Sequence, residues 1–233
     1  MSESKDMRLA TFIGSETGFT VFQGGETLQV DAWGDSGARV RSTLASSITE
    51  TPGSALVEAA VTDAKVEISD DRARLRNGDL VVEVSVNHEE RFAAFPPLVR
   101  FLRVDGEELL GESAPHFTAP PQRRYGRAGG DLFACEVTFS AHPAERFYGL
   151  GQHQHGLLDQ KGAVIDLVHR NTEVSVPFAL SSRGYGLLWN MPGVGRVELG
   201  ANRTRWAADA ARQIDYFVTT GPTPADIVSR YAK

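Results

Sequence analysis

This 233-residue chain has one cysteine, Cys135, so no disulfide can form within it. That excludes the disulfide-stapled scaffolds of small secreted domains and favours a reducing compartment. The N-terminal MSESKDMRLATF lacks an apolar core of signal-peptide length. No run approaches the ~20 apolar residues of a membrane-spanning helix. We therefore expect a cytoplasmic protein with no membrane partner. Blocks of one charge sign are also missing: the formal net charge is -6, with acids and bases mixed along the chain. A nucleic-acid partner calls for a clustered basic footprint, and there is none. There is no repeat of about 20–50 residues, no heptad pattern and no low-complexity tract, which excludes solenoids, propellers and coiled coils.

What is present is punctuation. The 23 glycines and 11 prolines are spread along the chain between short runs that alternate apolar and polar side chains. That is the period of a half-buried strand. Such runs lie at 19–22, 27–33, 38–44, 64–69, 72–76, 79–86, 98–104, 132–140, 196–199, 203–207 and 213–219. Leu80, Val82, Val84 and Val86 share one face. Gly24-Gly25, Asn77-Gly78 and Asp105-Gly106 supply turns, and Asn-Gly is a strong hairpin signal. Residues 1–10 read as a frayed end, and Ser/Thr-rich residues 45–60, with Pro52-Gly53, as a loop. Residues 111–131, with Pro115, Pro120, Pro121, Gly126, Gly129 and Gly130, read as a long connection with an exposed Tyr125.

One helix is expected, at 224–233. Thr223 is its N-cap, Pro224 its first helical residue, and Asp226 stands in its first turn. Ile227, Val228 and Tyr231 would share a face. The chain stops inside that helix without a stop signal, which reads as a piece of a longer polypeptide. Roughly a dozen short strands with regular turn signals make an all-β sandwich.

Chemistry concentrates in residues 145–190, which hold three of the six histidines. Gly149-Leu150-Gly151 is not a phosphate loop: it lacks the third glycine, a following helix and Gly-Lys-Ser/Thr. His153 and His155 could share one side of a strand, but two ligands do not make a zinc site, and no spacing singles out His169, Asp159 or Asp166. No Gly-x-Ser-x-Gly elbow surrounds Ser181-Ser182. The carboxylates look scattered over turns and exposed faces, with no pair to nominate for glycoside hydrolysis. Cys135, inside an apolar run, reads as a buried structural thiol. Tyr148, Tyr185 and Trp189 fill a core or stack on sugar rings. The amides of Gln152, Gln154, Asn171 and Asn190 would suit a hydroxyl-rich ligand, because an amide both donates and accepts.

Several motifs occur together in one order: Phe147-Tyr148-Gly149-Leu150-Gly151-Gln152, Asn171-Thr172, Val176-Pro177-Phe178, and Ser181-Ser182-Arg183-Gly184-Tyr185-Gly186-Leu187-Leu188-Trp189-Asn190. Asp215-Tyr216-Phe217-Val218, Gly221-Pro222-Thr223-Pro224 and Tyr231 complete the set. With these, residues 145–233 resemble the N-terminal domain of glycoside hydrolase family 31, the α-glucosidase and α-xylosidase family. The first half matches more loosely, through Ala38-Arg39-Val40-Arg41 after Trp33-Gly34. Gln152, Asn171-Thr172 and Pro177-Phe178 resemble the α-xylosidase-like members, although Asn190 stands where those often have Asp.

The resemblance implies a galactose-mutarotase-like β-sandwich (supersandwich) with a short C-terminal helix. It implies a sandwich domain over 1–222 and, at 223–233, the start of a helical linker to a (β/α)8 barrel. In that family two barrel aspartates act as nucleophile and acid/base with retention. Neither motif is in this chain, so no catalytic residue is assigned, and no metal or cofactor is implied. In that family the sandwich lends a loop to the rim of the sugar pocket; by position it would lie between Gln152 and Pro177, with His169, Arg170, Asn171 and Thr172 expected nearest the ligand and Gln152 and His153 behind them. Val174, Val176 and Phe178 would anchor it. The implied partners are an α-xyloside or α-glucoside and the barrel of the same full-length chain, with homo-oligomerisation left open. Two other readings stand beside this one: a free-standing carbohydrate-binding module, and a mutarotase-type enzyme using a histidine and a carboxylate.

Overall fold

The computed structural model describes residues 10–50, 54–57, 60, 63–86, 95–113 and 120–233. Of the expected frayed end at 1–10, residues 1–9 lie outside the described residues, as do the Pro52-Gly53 turn and Pro115, while Ala10 begins a strand. Eighteen strands and one helix occur among the described residues. The first nine strands are β1 (Ala10–Gly14), β2 (Gly18–Gln23), β3 (Glu26–Trp33), β4 (Gly37–Thr43), β5 (Ala64–Ile68), β6 (Arg72–Asn77), β7 (Leu80–Ser85), β8 (Leu98–Arg103) and β9 (Glu108–Gly111). Then come β10 (Arg123–Gly129), β11 (Leu132–Ser140), β12 (Phe147–Gln152), β13 (Val164–Leu167) and β14 (Val174–Ser181). The chain ends with β15 (Tyr185–Trp189), β16 (Gly195–Leu199), β17 (Arg203–Ala211), β18 (Ile214–Thr220) and α1 (Pro224–Ala232).

The strands form three antiparallel sheets. An eight-stranded sheet runs β1-β2-β3-β4-β18-β15-β14-β12. Two five-stranded sheets, β10-β11-β17-β16-β13 and β5-β6-β7-β8-β9, lie side by side on its inner face. Alternation sets which side chains face in: every second residue of β3 and of β6 is buried. Leu28, Val30, Val40, Leu75, Val82, Phe101, Val137, Leu187, Trp189, Trp206 and Tyr216 meet in one core shared by all three sheets. The expected all-β supersandwich with a C-terminal helix is what the chain forms.

Two central strands, β4 and β18, are buried on both faces. On the outer face of the sheet Phe178 of β14, Leu188 of β15 and Phe217 of β18 form with Ile227 a second, smaller core, packed with Trp33, Leu56, Leu180 and Tyr231. Helix α1 lies there, with the Tyr231 ring stacked on Phe178 at 4.0 Å. Close approach depends on Gly186, where an added Cβ would stand 2.5 Å from the Phe178 ring and 2.9 Å from Ile227. The helix begins as its sequence directs: Asp226 N donates to Thr223 Oγ1 at 3.2 Å and Thr223 N donates to Asp226 Oδ2 at 3.1 Å, a capping box ahead of Pro224. Val228 departs from the expected face: it is exposed, while Ile227 is buried.

Residues 123–129 form β10 rather than part of a plain connection, paired along β11. Tyr125 is not an exposed ring: its hydroxyl meets Glu26 Oε1 at 2.9 Å and Ser42 Oγ at 2.7 Å. Nor are the carboxylates only on surfaces. Arg123, wholly buried, donates to Glu26 at 2.9 Å through Nε and again through Nη2, and to Glu112 Oε1 at 2.6 Å through Nη1. Across the sheet, Arg39 makes a two-point pair with the buried Asp215 at 3.1 and 2.7 Å. Glu145 accepts from Ser181 Oγ at 2.5 Å and Tyr185 Oη at 2.6 Å. Buried charges of this kind are held by complete sets of partners. Cys135 is buried as expected, and burial pushes its thiol up to about 12.

Candidate functional site

The Gly149-Leu150-Gly151 motif is a bulge in β12. All three residues have positive φ, at 95°, 66° and 95°, and the register against β14 shifts there. At Gly151 a Cβ would stand 2.0 Å from the Val174 carbonyl oxygen, so only glycine fits. The bulge turns Leu150 wholly into the core. Beyond it the chain leaves the sheet at Gln152, opposite Val174. His153 and His155 therefore lie past the strand rather than along it. Their rings stack at 5.6 Å. His153 Nε2 donates to the Leu150 carbonyl at 2.8 Å, and His155 Nδ1 accepts from Leu157 N at 3.1 Å. Both imidazoles thus serve the backbone. Among the described residues no group of three or more His, Cys, Asp or Glu could hold a metal.

The second half of the site joins β13 to β14. Arg170 and Glu173 pair across a tight turn, with N–O distances of 3.4 and 3.1 Å. Asn171 and Thr172 form its tip. Thr172 has φ 69°, and it and Leu150 are the two non-glycine residues with positive φ among the described residues. His169 Nδ1 accepts from Ser175 N at 3.3 Å. His169, Arg170, Asn171 and Thr172 are exposed, as is Gln152, while His153 is half-buried. The fold brings the two halves together: Gln154 N donates to Glu173 Oε1 at 3.3 Å, and Gln154 Nε2 donates to Thr172 Oγ1. Asp166 receives Arg170 Nη2 at 2.8 Å and Arg196 Nε at 3.1 Å. Those hydrogen bonds hold its carboxyl below the usual carboxylate range. A hollow of about 200 Å³ beside the turn is lined by Leu167, His169, Ser175, Trp189, Met191 and Val194.

Two further expectations change. Val174 and Val176 do not anchor the loop: they are 51% and 37% exposed, and within β14 the inward positions fall to Ser175 and Phe178's neighbour Ala179. Phe178, the third expected anchor and on the same face of β14, is buried beneath α1. Asn190 is not available to a ligand: it is buried, accepts from Ala55 N at 3.0 Å and donates to Asp215 Oδ2 at 3.0 Å. Asp166, Gln154 and Glu173 also brace the turn, a role that no sequence motif marks. Their only sequence signal is the four-residue spacing of Asp166 and Arg170, which is common on surfaces.

Comparison with known proteins agrees with this architecture. The profile of the glycosyl hydrolase 31 N-terminal galactose mutarotase-like domain matches residues 27–198. An uncharacterized family 31 glucosidase of Pseudescherichia vulneris is 29% identical over 226 residues, covering 89% of this chain and 41% of that protein. Alpha-xylosidase A of Aspergillus niger is 31% identical over 226 residues, covering 89% of this chain and 30% of that protein. The crystal structure of a GH31 alpha-xylosidase from a soil metagenome, complexed with xylose, superposes with a TM-score of 0.85 at 33% identity, over 95% of this chain and 34% of that one. The chain thus spans between 30% and 41% of the length of these relatives. By sequence pattern, topology and likeness alike, it belongs to the glycosyl hydrolase 31 N-terminal galactose mutarotase-like domain family.

Proposed function

We propose that this chain is the non-catalytic N-terminal domain of a retaining α-glycosidase acting on α-xylosides. In that reading it packs on a catalytic (β/α)8 barrel and lends the turn at residues 170–173 to the rim of the sugar pocket. The observation that carries the proposal is the lopsided coverage of the xylosidase bound to xylose: nearly all of this chain matches about a third of that one. The surface supports the same reading. Val174 and Val176 turn bare apolar side chains to solvent beside an exposed polar turn. A second domain would cover such a face. The exposed amides, guanidinium and imidazole of Gln152, Asn171, Arg170 and His169 offer donors and acceptors to sugar hydroxyls.

The test is turnover of p-nitrophenyl α-xyloside. The polypeptide containing the barrel hydrolyses it, and the 233-residue chain alone does not. Hydrolysis by the isolated chain would refute the proposal, and so would a full-length polypeptide that cleaves α-glucosides but not α-xylosides.

A further inference from the structure

Thr172 is in an unusual place for its residue type. A positive φ of 69° suits glycine or asparagine, and a β-branched side chain there is strained. Such strain persists only where the surroundings over-determine the conformation. Two contacts do so here, one from each layer of the sandwich. From the β12 side, Gln154 binds the turn twice, through its side-chain amide to Thr172 Oγ1 and through its backbone N to Glu173 Oε1 at 3.3 Å. From the β13 side, Asp166 holds Arg170 at 2.8 Å while Arg196 of β16 holds Asp166 at 3.1 Å. We infer that Gln154 and Asp166 are positioning residues that fix the strained turn and so present the Asn171 amide to the sugar. The inference rests on the proposed rim role of this turn.

These braces contribute through geometry rather than stability. Arg170 is 57% exposed and Asp166 34% exposed, and ion pairs at such sites add little to folding. Gln154 is exposed as well. A binding loop held in its bound shape loses less freedom when the ligand arrives. Glycine at 172 would adopt the same φ without strain but would surrender the hydroxyl that Gln154 grips. Threonine at this position keeps that grip.

The test uses the barrel-containing polypeptide and p-nitrophenyl α-xyloside. Gln154→Leu and Asp166→Asn each raise KM about fivefold, the cost of ordering one freed side chain and its turn, with kcat nearly unchanged. Thr172→Gly does the same without lowering Tm, whereas Thr172→Ser, which keeps the hydroxyl, retains the original KM. In the 233-residue chain, Gln154→Leu drops the NMR order parameter of the Thr172 amide from about 0.85 to below about 0.6. Asn171→Ala separates the two ideas. If it leaves KM unchanged, the rim role itself fails. If it raises KM while Gln154→Leu and Asp166→Asn do not, the rim role stands and the positioning inference is overturned. An unchanged Thr172 order parameter in Gln154→Leu overturns it too.

Discussion

One guanidinium in this core faces two carboxylates. Arg123 and Glu112 have fully buried side chains, and Glu26 is nearly so. With all three ionised, the cluster would carry one excess negative charge in a region almost wholly shut off from water. Burial accordingly pushes the Glu112 carboxyl from its ordinary 4.5 up to about 7, against the pull of Arg123 and of Val99 N. That displacement corresponds to about 3 kcal/mol. Below the ordinary value the folded and unfolded chains both hold the Glu112 proton. Between 4.5 and about 7 the folded chain holds a proton that the unfolded chain has shed, so stability falls as pH rises. Above about 7 the loss is complete.

Replacing Glu112 by glutamine keeps the shape and removes the charge. Urea unfolding followed by far-UV circular dichroism at about pH 5 and about pH 8 reads the difference. The unsubstituted chain should lose about 2–3 kcal/mol from this group across that interval, and Glu112→Gln should lose none of it. The two proteins should have similar stability at the acid end, and the variant should be the more stable at the alkaline end. The carboxyls of Glu50, Asp166 and Glu198 are displaced downward, so their contributions are flat over this range. Equal pH slopes in the two proteins would refute the reasoning, because they would show that Arg123 and its neighbours keep Glu112 ionised throughout.

Arg39→Met strips the buried Asp215 of its guanidinium and should destabilise the fold by about 3–5 kcal/mol in chemical denaturation. Gly151→Ala places a Cβ against the Val174 carbonyl at a positive φ, and should cost about 1–3 kcal/mol while perturbing amide signals of β12 and β14. Cys135, buried and pushed up to about 12, should resist a thiol reagent at mildly alkaline pH in the folded chain and react at once in urea.

Much of the fold was legible along the chain because its causes are local. Strands β3 and β6 announce themselves by strict alternation, and Asn77-Gly78 marks the hairpin between β6 and β7. Thr223, Pro224 and Asp226 declare the start of α1 within four residues. Strand β10 is not legible along the chain because RRYGRAG is polar and holds two glycines. Its inward residues are Arg123 and Tyr125, whose burial depends on Glu26, 97 and 99 positions away. No local pattern distinguishes a buried arginine with distant partners from an exposed one.

The candidate site divides the same way. Its members could be named from sequence: a polar segment between apolar runs at 169–172, and a glycine-framed strand end at Gln152. By itself the sequence determined that these segments exist, that the chain is all-β, and that the C-terminal run begins as a helix. Only the tertiary structure decided that β12 and β14 pair so that Gln154 reaches Thr172, and that β13 delivers Asp166 beneath Arg170. It alone put Val174 and Val176 outward and Asn190 inward. The reason is physical. Alternation says that neighbouring side chains face opposite ways, but which way is inward depends on what the rest of the chain lays against each face.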